Sequence, residues 1–230
     1  MPSNISKQEI LSRRLKKLIM RIKEKALEIY KKKGISGLFY SILRKICHFI
    51  FETNSHNWLI RNLDSNEIEI KPDIPLIIEF YNFQETLNWI RNQNMPWMNN
   101  RREEEIAIKE RHYWGSAKYN GKIIGYIKVG FKKVFINDYK KSIEFPQDVV
   151  FLYDMYVTPE FRSKKVAVYL LNEASRFSKN IGFSKALAYA PDWNIPSMKS
   201  LTKAGLKREK KIRYIQIFGV KILTANPGNL

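Results

Sequence analysis

The chain has 230 residues, 44% of them hydrophobic, with thirteen Phe, twelve Tyr and five Trp, enough apolar area for one substantial core and too much for a disordered chain. Cys47 is the sole cysteine and His48, His56 and His112 are the only histidines, which excludes an internal disulfide framework and a multi-cysteine zinc site, shows no HExxH-type spacing, and implies no metal. Formal net charge is +19, a balance that attracts polyanions without saying which.

The charge is concentrated at the start. Residues 1–50 hold thirteen Lys/Arg against Glu9, Glu24 and Glu28, so 13 − 3 = +10. Leu11, Leu15, Leu18, Ile19, Ile22, Ala26, Leu27 and Ile29 recur at three- and four-residue intervals, the spacing of one helical face, with Arg and Lys filling much of the rest. After Lys33-Gly34, the run Ile35 to Ile50 carries Leu38, Phe39, Ile42, Leu43, Ile46, Phe49 and Ile50. Such a pair of helices can lie on an anionic membrane surface, pack on the rest of the chain, or pair in a homodimer. Nucleic acid is the less favoured partner, because no base-reading motif accompanies the charge. The opening MPSNISKQEI has no basic region leading into an apolar run, and no stretch nears about 18 consecutive apolar residues. A cytoplasmic chain, peripheral on the inner face of the membrane, is the expected location.

Asn57 to Leu63 continues the helical extension on this reading, giving a basic amphipathic region 1–63 and a second domain 64–230. Ile68 to Ile70 and Leu76 to Phe80 are predicted strands separated by Pro72 and Pro75; Asn82-Phe83-Gln84-Glu85 opens a helix to about Gln93, and Arg101 to Glu110 is a charged helix. Tyr113 to Tyr119 and Lys122 to Val129 flank Asn120-Gly121, a hairpin turn, and Lys132 to Ile136 with Lys140 to Phe145 predict a second hairpin. Phe151 to Val157 is an apolar, aromatic strand suited to the middle of a sheet. A helix from Lys165 to Asn180 stops at Gly182; then come strand Lys185 to Tyr189, helix Pro196 to Lys203, Gly205 as its cap, and strands Arg213 to Phe218 and Lys221 to Leu223. This is an α/β chain of mixed α+β type, not an alternating Rossmann series, and it has no internal repeat.

Val157-Thr158-Pro159-Glu160-Phe161-Arg162, followed by Arg162-Ser163-Lys164-Lys165-Val166-Ala167, a long helix with Leu170 and Leu171, Gly182, a strand, Asn194, Ser197 and Lys203-Ala204-Gly205-Leu206, resembles the GNAT N-acyltransferase superfamily over residues 110 to 210. The resemblance implies a twisted, mostly antiparallel central sheet flanked by helices. It implies acetyl-CoA or another acyl-CoA as cosubstrate, with Arg162, Ser163, Lys164, Lys165, Val166 and Ala167 around its pyrophosphate. Unpaired N–H groups at a helix start and the helix dipole favour an anion there. The resemblance further implies that strand 151–157 parts from strand 185–189 to admit the pantetheine arm, contacted by Met155, Tyr156, Val157 and Asn194.

Three positions depart from the family. Ser163 and Lys165 stand where glycine is common, and Leu201 stands where many relatives carry a tyrosine that protonates the departing thiolate. Tyr189, Tyr153 or water must then donate that proton. The Tyr156 N–H is the expected oxyanion donor, and Asp154 either removes the amine proton through water or pairs with a basic residue. The acceptor expected is an amine-bearing small molecule or glycan precursor, such as an amino sugar of cell-surface glycan assembly, with Tyr113, Trp114, Tyr153, Tyr189 and Trp193 as a candidate aromatic rim. Two alternatives stay open: a noncatalytic GNAT-fold CoA-binding or interaction module, and a basic nucleic-acid-associated protein.

Overall fold

A computed structural model describes residues 27–28, 30–32, 34–37, 39–40, 51–65, 68–91, 100–217 and 220–229. The basic helical face from Leu11 to Lys25 and the stretch 41–50, with Cys47 and His48, lie outside the described residues. Those described between 27 and 40 are helical, and Leu27, Tyr30, Ile35, Phe39 and Tyr40 among them are exposed. Among the described residues no helix is long and apolar enough to cross a membrane.

The chain divides into two compact units, and the larger, residues 53–215 with 221–230, carries the sheet. Its elements are β1 (Phe51–Asn62), β2 (Ile77–Asn82), α1 (Phe83–Arg91), α2 (Arg101–Lys109), β3 (Tyr113–Tyr119), β4 (Lys122–Phe131), β5 (Lys133–Ile136), β6 (Lys141–Glu144), β7 (Val149–Val157), α3 (Val166–Asn180), β8 (Lys185–Pro191), α4 (Ile195–Lys203), β9 (Lys207–Ile217) and β10 (Val220–Leu223). The sheet runs β10-β9-β1-β8-β7-β4-β3-β2, with β5 and β6 as a separate hairpin. β1 pairs with β8, β2 with β3, β3 with β4, β4 with β7 and β5 with β6 antiparallel, while β7 pairs with β8 parallel.

Two sequence expectations are corrected here. Residues 57–62 are strand, not a continued helix: His56 to Asn62 pair with Pro191 to Lys185 on β8, and Trp58 and Leu59 point their side chains into different clusters, at 0% and 1% exposure. That is the period-two burial of a central strand, which a stretch read beside helical neighbours hides. Ile68 to Ile70 are not a strand either; they lie along a cavity wall.

Elsewhere local chemistry and structure agree. Asn120 and Gly121 have φ of 48° and 74°, the turn that both strands' twist requires. Helix α3 ends in a Schellman pattern, Phe183 N–H to Ser178 O at 3.1 Å and Gly182 N–H to Lys179 O at 2.9 Å. One face of the sheet packs on α3 through Ile127, Val150, Leu152, Leu170 and Leu171. The other bears two aromatic clusters, one around Trp58, Tyr139 and Phe151, the other around Phe83, Trp114 and Tyr126 with Ala107 of α2. Strand β7 runs between them.

Candidate active site

The loop entering α3 is built to leave backbone donors open. Thr158 ties the end of β7 to β4, its N–H and Oγ1 both donating to Ile124 O at 2.8 and 3.1 Å. Arg162 Nε donates to Val157 O at 3.1 Å. Ser163 and Lys165 then take φ of 65° and 60°, the left-handed region that costs a non-glycine residue roughly 1–2 kcal/mol. The two residues that replace the family's glycines thus keep the backbone that glycine would adopt. The side chain of Lys165 swings aside, its Nζ 2.6 Å from Asp73 Oδ1, while Asp73 N–H donates to Lys164 O at 3.2 Å. The segment before β2 is therefore strapped to the loop by both backbone and side chain. In α3 the first donation back is Tyr169 N–H to Lys165 O at 3.0 Å, so the N–H groups of Val166, Ala167 and Val168 have no intrahelical acceptor.

A cavity of about 1140 Å³ opens on these donors, larger than the roughly 300–1,000 Å³ of common small-molecule sites. Every residue expected to hold the cofactor lines it except Lys164, whose Nζ instead lies 5.3 Å from the Phe161 ring centroid. Lys71, Arg162, Lys165, Lys199 and Lys203 line the same cavity with Glu69 as the one carboxylate among its lining residues, paired to Lys71 at 3.1 Å, which makes the lining strongly positive. Asn194 uses its side-chain oxygen as the cap of α4, accepting from Ser197 N–H at 3.2 Å, which leaves its amide NH₂ to face a ligand.

The cavity meets a gap in the sheet. Strands β7 and β8 pair only at Val149 to Phe151 with Lys185 to Leu187, so the β8-facing edge of Leu152 to Val157 lacks a ladder partner. On its other edge β7 is held tightly: a Cβ on Gly125 would come within 2.9 Å of Tyr156 O, a contact only glycine permits. Between Lys128↔Tyr153 and Tyr126↔Tyr156 the register slips by one residue, a β-bulge in which Asp154 has φ of 48°. Met155 packs toward α3, while Asp154 turns to the opposite face, where Lys128 projects.

There a charged group is fully enclosed. Lys128 Nζ lies 2.5 Å from Asp154 Oδ2 and 2.5 Å from Glu103 Oε1; the three side chains are 1%, 21% and 3% exposed. The Asn137 amide donates to the other Glu103 oxygen, and the Asn100 amide donates to Asn137. Burial raises the Glu103 carboxyl above its usual range against the pull of Lys128. Burial works against the Lys128 charge, but Asp154 and Glu103 together hold it above an ordinary lysine. Beside them His112 is lowered to about 4 by burial, its Nε2 bonded to Phe131 O at 3.1 Å and its Nδ1 3.4 Å from Tyr153 OH. The neutral ring thus donates from Nε2 and accepts from the phenol.

Neither Asp154 nor Tyr189 lines the cavity. The Tyr189 ring stacks on Trp58 and Phe151 at 5.0 and 5.9 Å, and its hydroxyl donates to Asp138 Oδ2 at 2.8 Å. Burial pushes Tyr153 and Tyr189 well above the usual phenol value, which makes each a weaker proton donor. Leu201 is 3% exposed in the core. Of the expected aromatic rim, Trp114 is 1% exposed, inside a cluster, and Trp193 is 72% exposed.

Glu103, Lys128, Asp73, Lys199 and Lys203 escaped the sequence reading. One signal was present: Lys128 is the sole charge within Ile123 to Phe131, and a buried lysine needs a carboxylate partner.

Residues 79–206, more than half of the chain, match the model of the acetyltransferase (GNAT) family, and the chain belongs to that family. Similar solved structures include a Drosophila protein at 12% identity, covering 79% of this chain and 58% of that one with a TM-score of 0.49; this chain thus spans under two thirds of that structure's length. An aminoglycoside N-acetyltransferase in complex with a bisubstrate analogue of CoA shares 23% identity, covering 59% and 93% with a TM-score of 0.44. An aminoglycoside acetyltransferase from an uncultured soil metagenomic sample, in complex with sisomicin, shares 14%, covering 59% and 90% with a TM-score of 0.42. No curated protein matches the sequence.

Proposed function

We propose that this chain is an acyl-CoA-dependent N-acyltransferase that moves an acetyl group from acetyl-CoA to a primary amine. The observation that carries the reading is the positive cavity of about 1140 Å³ at the open N–H groups of α3, continuous with the β7 edge that β8 leaves unpaired. The α3 N–H groups and Arg162 would hold the pyrophosphate, and Met155 to Val157 would present backbone groups to the pantetheine arm. The Tyr156 N–H would meet the oxyanion, and proximity of the bound amine and thioester would lower the barrier. Calorimetry with acetyl-CoA should give one site per chain, weakened by Arg162→Glu; a folded chain that binds no acyl-CoA ends this reading.

The acceptor is an amine-bearing small molecule, with an amino sugar the leading class. Release of free CoA thiol across amino sugars, lipid-linked amino sugars, polyamines and peptide N-termini tests it, and turnover of peptide amines alone rejects the sugar. A noncatalytic CoA-binding module is the second reading, favoured by the buried Leu201 and by the Lys128 ion pair on Asp154; binding without thiol release would select it.

For the basic N-terminal region the proposal is reversible association with an anionic membrane on the cytoplasmic side. The +10 charge of residues 1–50 and the exposed Leu27, Ile35 and Phe39 support it. Flotation on anionic vesicles should be strong for the full chain, weaken with salt, and be lost when the apolar residues of the region are replaced by Ser.

A further inference from the structure

Strand β9 treats its two faces differently. Ile212, Tyr214 and Gln216 are buried, whereas Arg213, Ile215 and Ile217 alternate with them and are exposed, the period-two division of a strand with one covered face. Strands β9 and β10 are neighbours in the sheet, two residues apart in sequence, the spacing of a tight hairpin. Thr224 N–H donates to Arg213 O at 2.9 Å and Arg213 N–H donates to Thr224 Oγ1 at 3.0 Å, which sets Thr224 opposite Arg213. Counting toward the turn from that pair, Ile222 stands opposite Ile215 and Val220 opposite Ile217, and residues opposite each other share a face. Four branched aliphatic side chains, 37% to 64% exposed, therefore form one outward patch at the edge of the sheet. Among the described residues, Ile77 is the only other large apolar side chain that a strand exposes.

Positive charge surrounds the patch. Residues 207–224 carry six Lys/Arg against Glu209 alone. Lys207, Arg208, Lys210 and Arg213 are exposed, and Lys211 is paired with Asp192. The tip of the hairpin, Gln216–Val220, falls in the same compact unit as residues 1–52, the part of the chain richest in Lys and Arg.

We propose that the outward face of the β9–β10 hairpin is a membrane-docking surface, which inserts Ile215, Ile217, Val220 and Ile222 into the headgroup layer of an anionic bilayer while the flanking Lys and Arg meet lipid phosphates. For the bilayer it shares with the N-terminal region it rests on the membrane reading above, and it is independent of the acyltransferase reading. Chemistry selects lipid over other partners. A nucleic acid would take the cations and leave the aliphatic side chains in water, because Ile and Val offer no ring on which a base can stack. A second copy of the chain would bring the same cations to the same patch and set like charges against each other. A bilayer supplies both halves at once: an apolar layer for the four side chains and negative headgroups for the cations. Isolated exposed aliphatics need no explanation, but four on one face within a basic rim mark an interaction site.

The test uses the full chain with Cys47→Ser and a single new cysteine, Ile222→Cys, labelled with an environment-sensitive NBD fluorophore. On vesicles of phosphatidylcholine with about 30% phosphatidylserine the emission should shift to shorter wavelength. The same label at Lys179→Cys, on an exposed position near the end of α3, should not respond. The quadruple variant Ile215→Ser, Ile217→Ser, Val220→Ser and Ile222→Ser keeps residues 1–50 intact; with folding checked by circular dichroism, it should bind these vesicles about tenfold more weakly than wild type. A chain that floats while the Ile222→Cys label stays in water, or a quadruple variant that binds as wild type does, overturns the hairpin and leaves the N-terminal reading standing. Insertion of the label that survives Ser replacement of the N-terminal apolar residues upholds the hairpin and removes the N-terminal reading. A label already blue-shifted before lipid is added, as a second copy or residues 1–50 would make it, overturns the proposal, and so does a response to duplex DNA in place of vesicles. No binding of the folded wild type to anionic vesicles overturns both membrane readings.

Discussion

The two sides of β7 hold their charges by opposite means. On the α3 side the cations are spread over a loop and a helix, and Lys165 is 58% exposed against a half-exposed Asp73. Behind the strand, one lysine at 1% exposure serves two carboxylates. An exposed cation is screened by water and shares its work with several neighbours and with backbone N–H groups, so losing one is tolerable. A buried charge has no water to fall back on, and its removal strands whatever it balanced. The first arrangement suits a polyanionic ligand that comes and goes; the second keeps a fixed field around one carboxylate.

The sharpest way to break this contrast is Lys128→Ala, which leaves Glu103 and Asp154 facing each other without a cation. Urea denaturation should show a loss of about 3–5 kcal/mol; a loss under about 1 kcal/mol would mean that water reaches the triad.

His112 sharpens the same side through pH. Its folded value, about 4, lies below its ordinary 6.5, so its contribution is fully present above about 6.5 and is lost as pH falls through 4. That difference is worth about 3 kcal/mol. His112→Gln should flatten the stability curve between pH 6.5 and 4, and an unchanged slope would place the titration elsewhere.

On the exposed side effects should be smaller. Arg162→Glu should weaken acetyl-CoA binding about tenfold, near 1.4 kcal/mol, while leaving the urea midpoint within error, because among the described residues the side chain's hydrogen bond is a single one, to Val157 O. The smallest change runs in the stabilising direction. Ser163→Gly relieves a left-handed residue at φ 65° and should raise stability by up to about 1 kcal/mol with cofactor binding kept.

How far the molecule was legible in its sequence differs between these same two sides. The loop 158–167 could be read because its function is carried by contiguous backbone: a proline-bearing turn, a helix start and small or basic residues announce open N–H groups locally. The triad could not, since Asn100, Glu103, Lys128, Asn137 and Asp154 come from four separate stretches of chain and meet only when α2 packs beside the β5–β6 hairpin. Asp154 in particular alternates into the wrong face on simple strand periodicity; the bulge reverses it. Tyr189 was legible as a strand residue and illegible as a partner of Asp138, 51 residues away.

What the sequence by itself determined is therefore whatever neighbours along the chain decide. The Asn120-Gly121 turn, the Schellman stop of α3 and the apolar run of β7 are such local matters, because turn dihedrals, caps and strand burial are set within a few residues. Only the tertiary structure decided that residues 57–62 form a strand beside β8, that β8 leaves β7 after Phe151, and that Lys128 in the middle of β4 finds two carboxylates. Those outcomes depend on which surfaces meet, and the free energy of burying a charge or pairing a strand edge belongs to the pair of surfaces, not to either segment alone.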